Sequence, residues 1–196
     1  MFISSTKIRK LYYNWYLFTI FVLKKHLSVI AYDREITVCF TGHRTYDGSR
    51  NHELEGAIRG LYAEGYRIFL CGMAYGLDLE AGEVALALRE ELQGLRVVAV
   101  VAYEGMDSYF SKEQRAQFER VRAAADEVVV VCEHYSKAVY ALRNNFLVDN
   151  SSAVVAYFDG SKGGTAYTIR RARKCGAQII NIYDNPQQKF DFSVDK

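Results

Sequence analysis

Proline is almost missing from this sequence: one residue, Pro186, in a chain of 196. With only 14 glycines as further punctuation, long disordered or low-complexity stretches are excluded. Charge of one sign is lacking too. Lys and Arg number 25 against 23 Asp and Glu, a net charge of +2. No strong field therefore argues for nucleic acid or an anionic membrane as a partner. The cysteines, Cys39, Cys71, Cys132 and Cys175, form no Cys-x-x-Cys pair and match no zinc spacing, so no metal site is expected. Three of them lie in or at the end of apolar runs and read as reduced, buried thiols of a cytoplasmic protein. A long hydrophobic span is absent as well. The apolar run from Leu11 to Leu23 is shorter than the ~18–20 residues that cross a bilayer.

That run sits in a distinctive N-terminal stretch, "KIRKLYYNWYLFTIFVLKKH". It has the basic start and apolar middle of an export signal, but Lys24 and Lys25 follow and no small-x-small cleavage site does. Three readings stand side by side: an extension foreign to the native protein, a helix that docks on the domain or a partner, and a membrane-surface or export segment. A membrane enters the expectations only if residues 11–23 anchor the chain. Residues 1–35 are placed outside the core fold, residues 36–184 form the functional domain, and residues 185–196 are a tail.

What the sequence does hold is alternation. Apolar, strand-like runs occur at Ile36 to Gly42, Tyr66 to Gly72, Leu95 to Tyr103, Asp126 to Glu133, Ala153 to Gly160 and Ala177 to Asp184. Continuous apolar strands of this kind are buried on both faces of a parallel sheet. Helical stripes lie between them. Leu54, Ile58, Leu61 and Tyr62 share one face, with Asn51 near the N-cap. Leu77, Ala81, Val84, Ala85, Leu88 and Leu92 share another. Further helices are expected over Lys112 to Ala124, Lys137 to Val148 and Thr165 to Lys174. The fold class is therefore α/β: a Rossmann-like, doubly wound, mainly parallel sheet of about six strands with helices on both faces. In such sheets ligands bind outside the C-terminal ends of the strands.

Three of those ends carry unusual loops. In "FTGHRTYDG", Gly42 permits a sharp turn and presents His43 and Arg44, an acid–base or anion-donor group and a planar fork suited to phosphate. In "CGMAYGLDLEAGE", Gly72 and Gly76 flank a turn into a helix start, where free N–H groups favour anions. Asp78 there either complements the helix dipole or meets a ribose hydroxyl. Glu80 is expected to face solvent and Glu83 to lie nearer the pocket. In "FDGSKGGTAYTIRRARK", Gly163 and Gly164 let backbone N–H groups approach a phosphate, and Thr165 is expected to cap the helix. The last loop is not a Walker A motif, whose Gly-x-x-x-x-Gly-Lys-Ser/Thr it lacks. Arg143 and Asn144 are polar groups in an otherwise apolar helix and require partners, structural or ligand. Tyr103, Tyr109 and Phe110 either stack on a base or cover the core, and the second is favoured.

Together "FTGHR", "CGMAYGLDLEAGE", "RNNFLVD" and "KGGTAYTIRRAR" resemble the YpsA-like proteins of the SLOG superfamily, which also contains DprA and the LOG phosphoribohydrolases. The resemblance runs from about Ile36 to Asp184. It implies a nucleotide-derived ligand such as an ADP-ribose or NAD derivative, bound for sensing or regulation, with no further cofactor and with homo-oligomers as an open option. It also implies the ligand-binding set Gly42, His43, Arg44, Gly72, Gly76, Asp78, Glu83, Arg143, Asn144, Gly163, Gly164 and Thr165. At Phe110 this family often has Trp. LOG enzymes resemble Pro-Gly-Gly-x-Gly-Thr-x-x-Glu at the last loop, but here Thr168 stands where that Glu is wanted. N-glycosidic cleavage needs such a carboxylate. Catalysis on a nucleotide N-glycosidic or phosphate bond would then rest on Asp78 or Glu83. A DprA-like single-stranded DNA module would need a basic groove, which a net charge of +2 does not favour. Arg170, Arg171, Arg173 and Lys174 are expected to form a solvated helix face.

Overall fold

The computed structural model describes residues 31–183. The expectations for residues 1–30 and 184–196, including the apolar run at 11–23, lie outside the described residues. Six strands form one sheet: β1 (Thr37–Gly42), β2 (Ile68–Cys71), β3 (Arg96–Tyr103), β4 (Glu127–Cys132), β5 (Ala153–Tyr157) and β6 (Gln178–Asn181). Among the described residues five α-helices alternate with them: α1 (Asn51–Ala63), α2 (Leu77–Arg89), α3 (Lys112–Ala124), α4 (Val139–Asp149) and α5 (Gly164–Lys174). Every pairing is parallel and the spatial order is β4-β3-β2-β1-β5-β6. This is the Rossmann-like α/β fold.

The strands form where they do because their apolar runs are continuous. Val38, Cys39 and Phe40 in β1, all of β2, and Val97 to Ala102 in β3 are buried, as a sheet covered on both faces demands. Helices α1 and α2 cover one face. Leu54, Ile58 and Leu61 of α1 and Leu77, Ala81, Ala85 and Leu88 of α2 share a core with Val38, Phe40, Phe69, Val97, Ala153 and Val155. Right-handed crossovers put the helices that follow β4 and β5 on the opposite face, where α4 and α5 pack on each other and on the strands. Ser111 caps α3 in a reciprocal capping box with Gln114, which fixes that helix over the residues expected.

The strand order reverses between β1 and β5. These strands are neighbours, yet β1 leads by way of α1 toward β4 and β5 leads by way of α5 to β6. Gly42 lies opposite Tyr157 in their register. The two chains therefore diverge to opposite faces just beyond that pair and leave a crevice, the place where open α/β sheets hold ligands.

Residues 33–35 belong to the fold rather than lying outside it. Arg34 donates through Nε to the Ser151 carbonyl at 2.9 Å and through Nη2 to the Cys175 carbonyl at 2.6 Å, tying the entrance of β1 to the turns before β5 and β6. Other departures are local. Arg50 holds the N-cap position of α1 without a side-chain cap bond, and Asn51 is the first helical residue. Its amide accepts from the Tyr46 hydroxyl at 2.8 Å and donates to Glu80 at 3.2 Å. Glu80 also accepts from Gln117 at 2.6 Å, so it joins α1, α2 and α3 instead of facing solvent. Tyr109 is 88% exposed and covers no core, whereas Tyr103 is buried.

Candidate functional site

A crevice of about 270 Å³ opens at the switch point. Its wall takes Gly42, His43 and Arg44 from the end of β1, Ala74 from the β2–α2 turn, Asp78 from the first turn of α2, Tyr140, Arg143 and Asn144 from α4, and Gly164 and Thr165 from α5. Eight of the twelve expected binding residues line it: Gly42, His43, Arg44, Asp78, Arg143, Asn144, Gly164 and Thr165. The other four are Gly72, Gly76, Gly163 and Glu83, and they lie behind it, beside it or away from it.

The floor is a buried ion pair. Arg143 and Asp78 are 5% and 6% exposed. Arg143 Nη1 donates to Asp78 Oδ2 at 2.8 Å and also to the Gly72 carbonyl. Burial raises the Asp78 carboxyl above its usual value, an effect that Arg143 first and the Ala74 backbone after it oppose only in part. The charged guanidinium at this distance favours the ionised form. Such a pair is self-sufficient: the carboxylate already has its cation. Arg143 Nε, by contrast, is buried and has no hydrogen-bond partner among the described residues. A buried donor left unpaired is costly, and this one belongs to a crevice-lining side chain.

The glycines of the first two loops are packing devices. A Cβ at Gly72 would fall inside the Arg143 guanidinium and 2.5 Å from Asp78. A Cβ at Gly42 would stand 2.5 Å from Leu77 Cβ. Gly76, at φ +87°, would put a Cβ 2.5 Å from the His43 carbonyl, and only glycine takes that conformation freely. Between them Met73 holds φ +61°, a strained value for a side-chain-bearing residue. The β1 and β2 loops are thus locked together at van der Waals contact.

The third loop is different. Gly163, at φ +151°, holds the N-cap position of α5 with no side-chain cap bond, and Gly164 starts the helix. No atom lies within 4 Å of a Cβ built at either. The leading N–H groups of α5 have no intrahelical acceptor and the positive end of the helix dipole stands there. Thr165 is the second helical residue and not the cap. Thr168 is fully buried and its hydroxyl donates to the Gly164 carbonyl at 3.0 Å. It supports the first turn from within and offers the crevice no carboxylate.

His43 ties this loop to β1. Its Nε2 lies 2.8 Å from Asp159 Oδ1 and 3.3 Å from the Asp159 N–H, so a protonated ring donates to the carboxylate and a neutral ring accepts from the backbone. Ser161 chiefly, with His43 behind it, holds the Asp159 carboxyl below its usual value. Arg44 is exposed and makes no ion pair with a described residue. Its guanidinium lies 4.9 Å from the Tyr75 ring centroid and 5.9 Å from that of Tyr140. Asn144 lines the crevice, and its side-chain amide has no hydrogen bond within the described residues. Glu83 is turned away: it accepts from Arg120 at 2.7 Å and from Gln117 at 2.9 Å, which spends it on the α2–α3 contact. Tyr75, Tyr140 and Asp159 also stand at the site. Two tyrosines among 15 carry no local signature, and only the tertiary fold sets them beside Arg44.

The YpsA family model, described as the YspA SLOG family, matches residues 50–185. This chain belongs to that SLOG family. Among curated proteins it is 27% identical over 141 residues to the SPbeta prophage-derived protein YoqJ of Bacillus subtilis, covering 65% of this chain and 80% of that one. It is 26% identical to a UPF0398 protein of Bacillus licheniformis, covering 72% of this chain and 73% of the relative. Among solved structures it resembles DNA processing protein A of Streptococcus pneumoniae, with a TM-score of 0.59 and 22% identity over 78% of this chain and 52% of that one. It also resembles the Helicobacter pylori protein of the same name, whose structure concerns single-stranded DNA binding, with a TM-score of 0.56 and 18% identity over 75% of this chain and 65% of the other. At these identities the structural likeness speaks to the fold. The chain spans about half of the pneumococcal protein.

Proposed function

We propose that this protein binds a nucleotide-derived anion, such as an ADP-ribose or NAD derivative, in the switch-point crevice, and that it senses or regulates rather than cleaves. One observation carries the reading: the crevice gathers donors that have no strong acceptor among the described residues. They are the Arg44 guanidinium, whose bond to the Tyr75 hydroxyl is 3.5 Å long, the Asn144 amide, Arg143 Nε and the leading N–H groups of α5. An array of this kind suits a phosphate or diphosphate.

The alternative, hydrolysis of a nucleotide N-glycosidic or phosphate bond, needs a carboxylate free to act on water or on the sugar. Asp78 is committed to Arg143, Glu83 to Arg120 and Gln117, and position 168 is a buried threonine. These commitments favour binding. Single-stranded DNA, the ligand named for the Helicobacter pylori neighbour, belongs in the same test.

Calorimetric titration with ADP-ribose, NAD, nucleoside monophosphates and a short single-stranded oligonucleotide decides among these. Saturable binding of a small nucleotide, with no free base or phosphate appearing on chromatography, is expected. Turnover, or binding of the oligonucleotide alone, would overturn the reading. No helix among the described residues is long and apolar enough to cross a membrane, and the cytoplasm is the compartment proposed.

A further inference from the structure

Arg44 is held in an unusual way. A guanidinium at the end of a parallel strand normally pairs with a carboxylate or caps carbonyl groups. Here its side-chain hydrogen bond among the described residues, to the Tyr75 hydroxyl, is 3.5 Å long, at the outer limit for such a bond. What holds it is aromatic: the ring of Tyr75 at 4.9 Å and the ring of Tyr140 at 5.9 Å. An exposed cation held mainly by ring faces is held weakly.

The two rings are themselves buttressed. Phe110 meets Tyr75 in an edge contact at 5.1 Å, and Phe118 of α3 stands behind Phe110 at 5.9 Å. Tyr103, buried at the end of β3, meets Tyr140 edge-on at 6.2 Å, and Tyr135 packs on Tyr103 at 5.4 Å. The aromatic groups that touch Arg44 are therefore fixed from behind by other rings, while the planar cation beside them is free to leave. Fixed walls with a replaceable planar occupant describe a stacking subsite. Tyr140 also lines the crevice directly, next to the donors assigned above to phosphate.

We propose that Tyr140, with Tyr75 nearby, forms a subsite for the base of a nucleotide, and that Arg44 occupies this place in the empty protein and turns to the ligand's phosphate on binding. The inference rests on the crevice-binding reading and deepens it by assigning the residues that would hold the ligand's planar ring. Stacking is tolerant of base identity, so the subsite demands a ring and not a particular one.

The test uses the full chain and three probes: adenosine monophosphate, guanosine monophosphate, and ribose 5-phosphate, which keeps the sugar and phosphate but has no base. At least one monophosphate is expected to bind about tenfold or more tightly than ribose 5-phosphate. Tyr140→Ala should reduce that preference to within about twofold. Tyr140→Phe should retain it. Tyr75→Ala serves as a second variant should Tyr140→Ala disturb α4, and it should narrow the same ratio. Equal binding of all three probes to the unmodified protein, or a preference that survives both alanine variants, overturns the stacking subsite and leaves the phosphate reading standing. Failure of every probe to bind overturns both.

Discussion

Two glycine-rich turns lead into helices at this crevice, and they do opposite work. The turn before α2, Gly72 to Gly76, is filled: each added Cβ meets an atom at 2.5 Å or closer, and its acidic residue is paired with a buried arginine. The turn before α5, Gly163 to Gly164, is open: an added Cβ meets nothing within 4 Å, and the helix N–H groups have no cap. Glycine in the first turn is there so that protein can approach protein. In the second it leaves room for something that is not protein. Similar sequence therefore separates into a scaffold and a receptor only once packing is known.

The comparison breaks most readily at the scaffold. Asp78→Ala leaves Arg143 charged and buried without its partner, and loss of about 3–5 kcal/mol is expected in urea unfolding. A loss under about 1 kcal/mol would mean that water reaches the pair and that the floor is not closed. Gly76→Ala comes next. The left-handed backbone and the 2.5 Å approach to the His43 carbonyl predict a cost of about 1–3 kcal/mol. The matched change in the open turn, Gly164→Ala, should alter stability by less than about 0.5 kcal/mol and yet weaken nucleotide binding measurably. Arg44→Ala should behave the same way, with an unchanged melting temperature and weaker binding. If Gly164→Ala destabilised as much as Gly76→Ala, the distinction between the turns would collapse.

The smallest effect concerns the tie between the two loops. The Asp159 carboxyl has a folded pKa below its ordinary value of 3.8. Its contribution to stability is therefore fully present above that ordinary value and is lost as pH falls through the lower folded value. Melting temperatures of the unmodified protein and of Asp159→Asn should converge in that acidic window and differ slightly above it. Curves that stay parallel throughout would show that the Ser161 and His43 contacts do not favour the ionised form.

Much of the fold was legible in sequence because parallel strands write themselves plainly. Continuous apolar runs such as those of β1 and β3 and the heptad-like stripe of α2 require the burial that is found. Boundaries were less legible. The run at Ala153 continues apolar to Phe158, but pairing stops at Tyr157, where β1 ends beside it. At the site, the residues that came together were those at strand ends, since topology alone brings them to one crevice. Its place in the second motif makes Glu83 an expected pocket residue. A five-residue step from Asp78 rotates it toward α3, where Arg120 takes it. That Arg143 needs a partner is legible in its apolar helix, but nothing local names Asp78, 65 positions away. Nor does anything local mark Tyr75 and Tyr140, which become a site only through the ring contacts behind them.

The central claim is that the start of α5 is a receptor for an anion and not a structural turn. Gly164→Asp tests it most directly, because a carboxylate at a helix N-terminus favours the helix dipole and has open space here. Calorimetric titration of this variant with the nucleotide that binds the unmodified protein, beside its melting temperature, gives both readouts at once. Binding abolished with melting unchanged or raised is the predicted result. Binding undiminished in a folded Gly164→Asp protein would contradict the account.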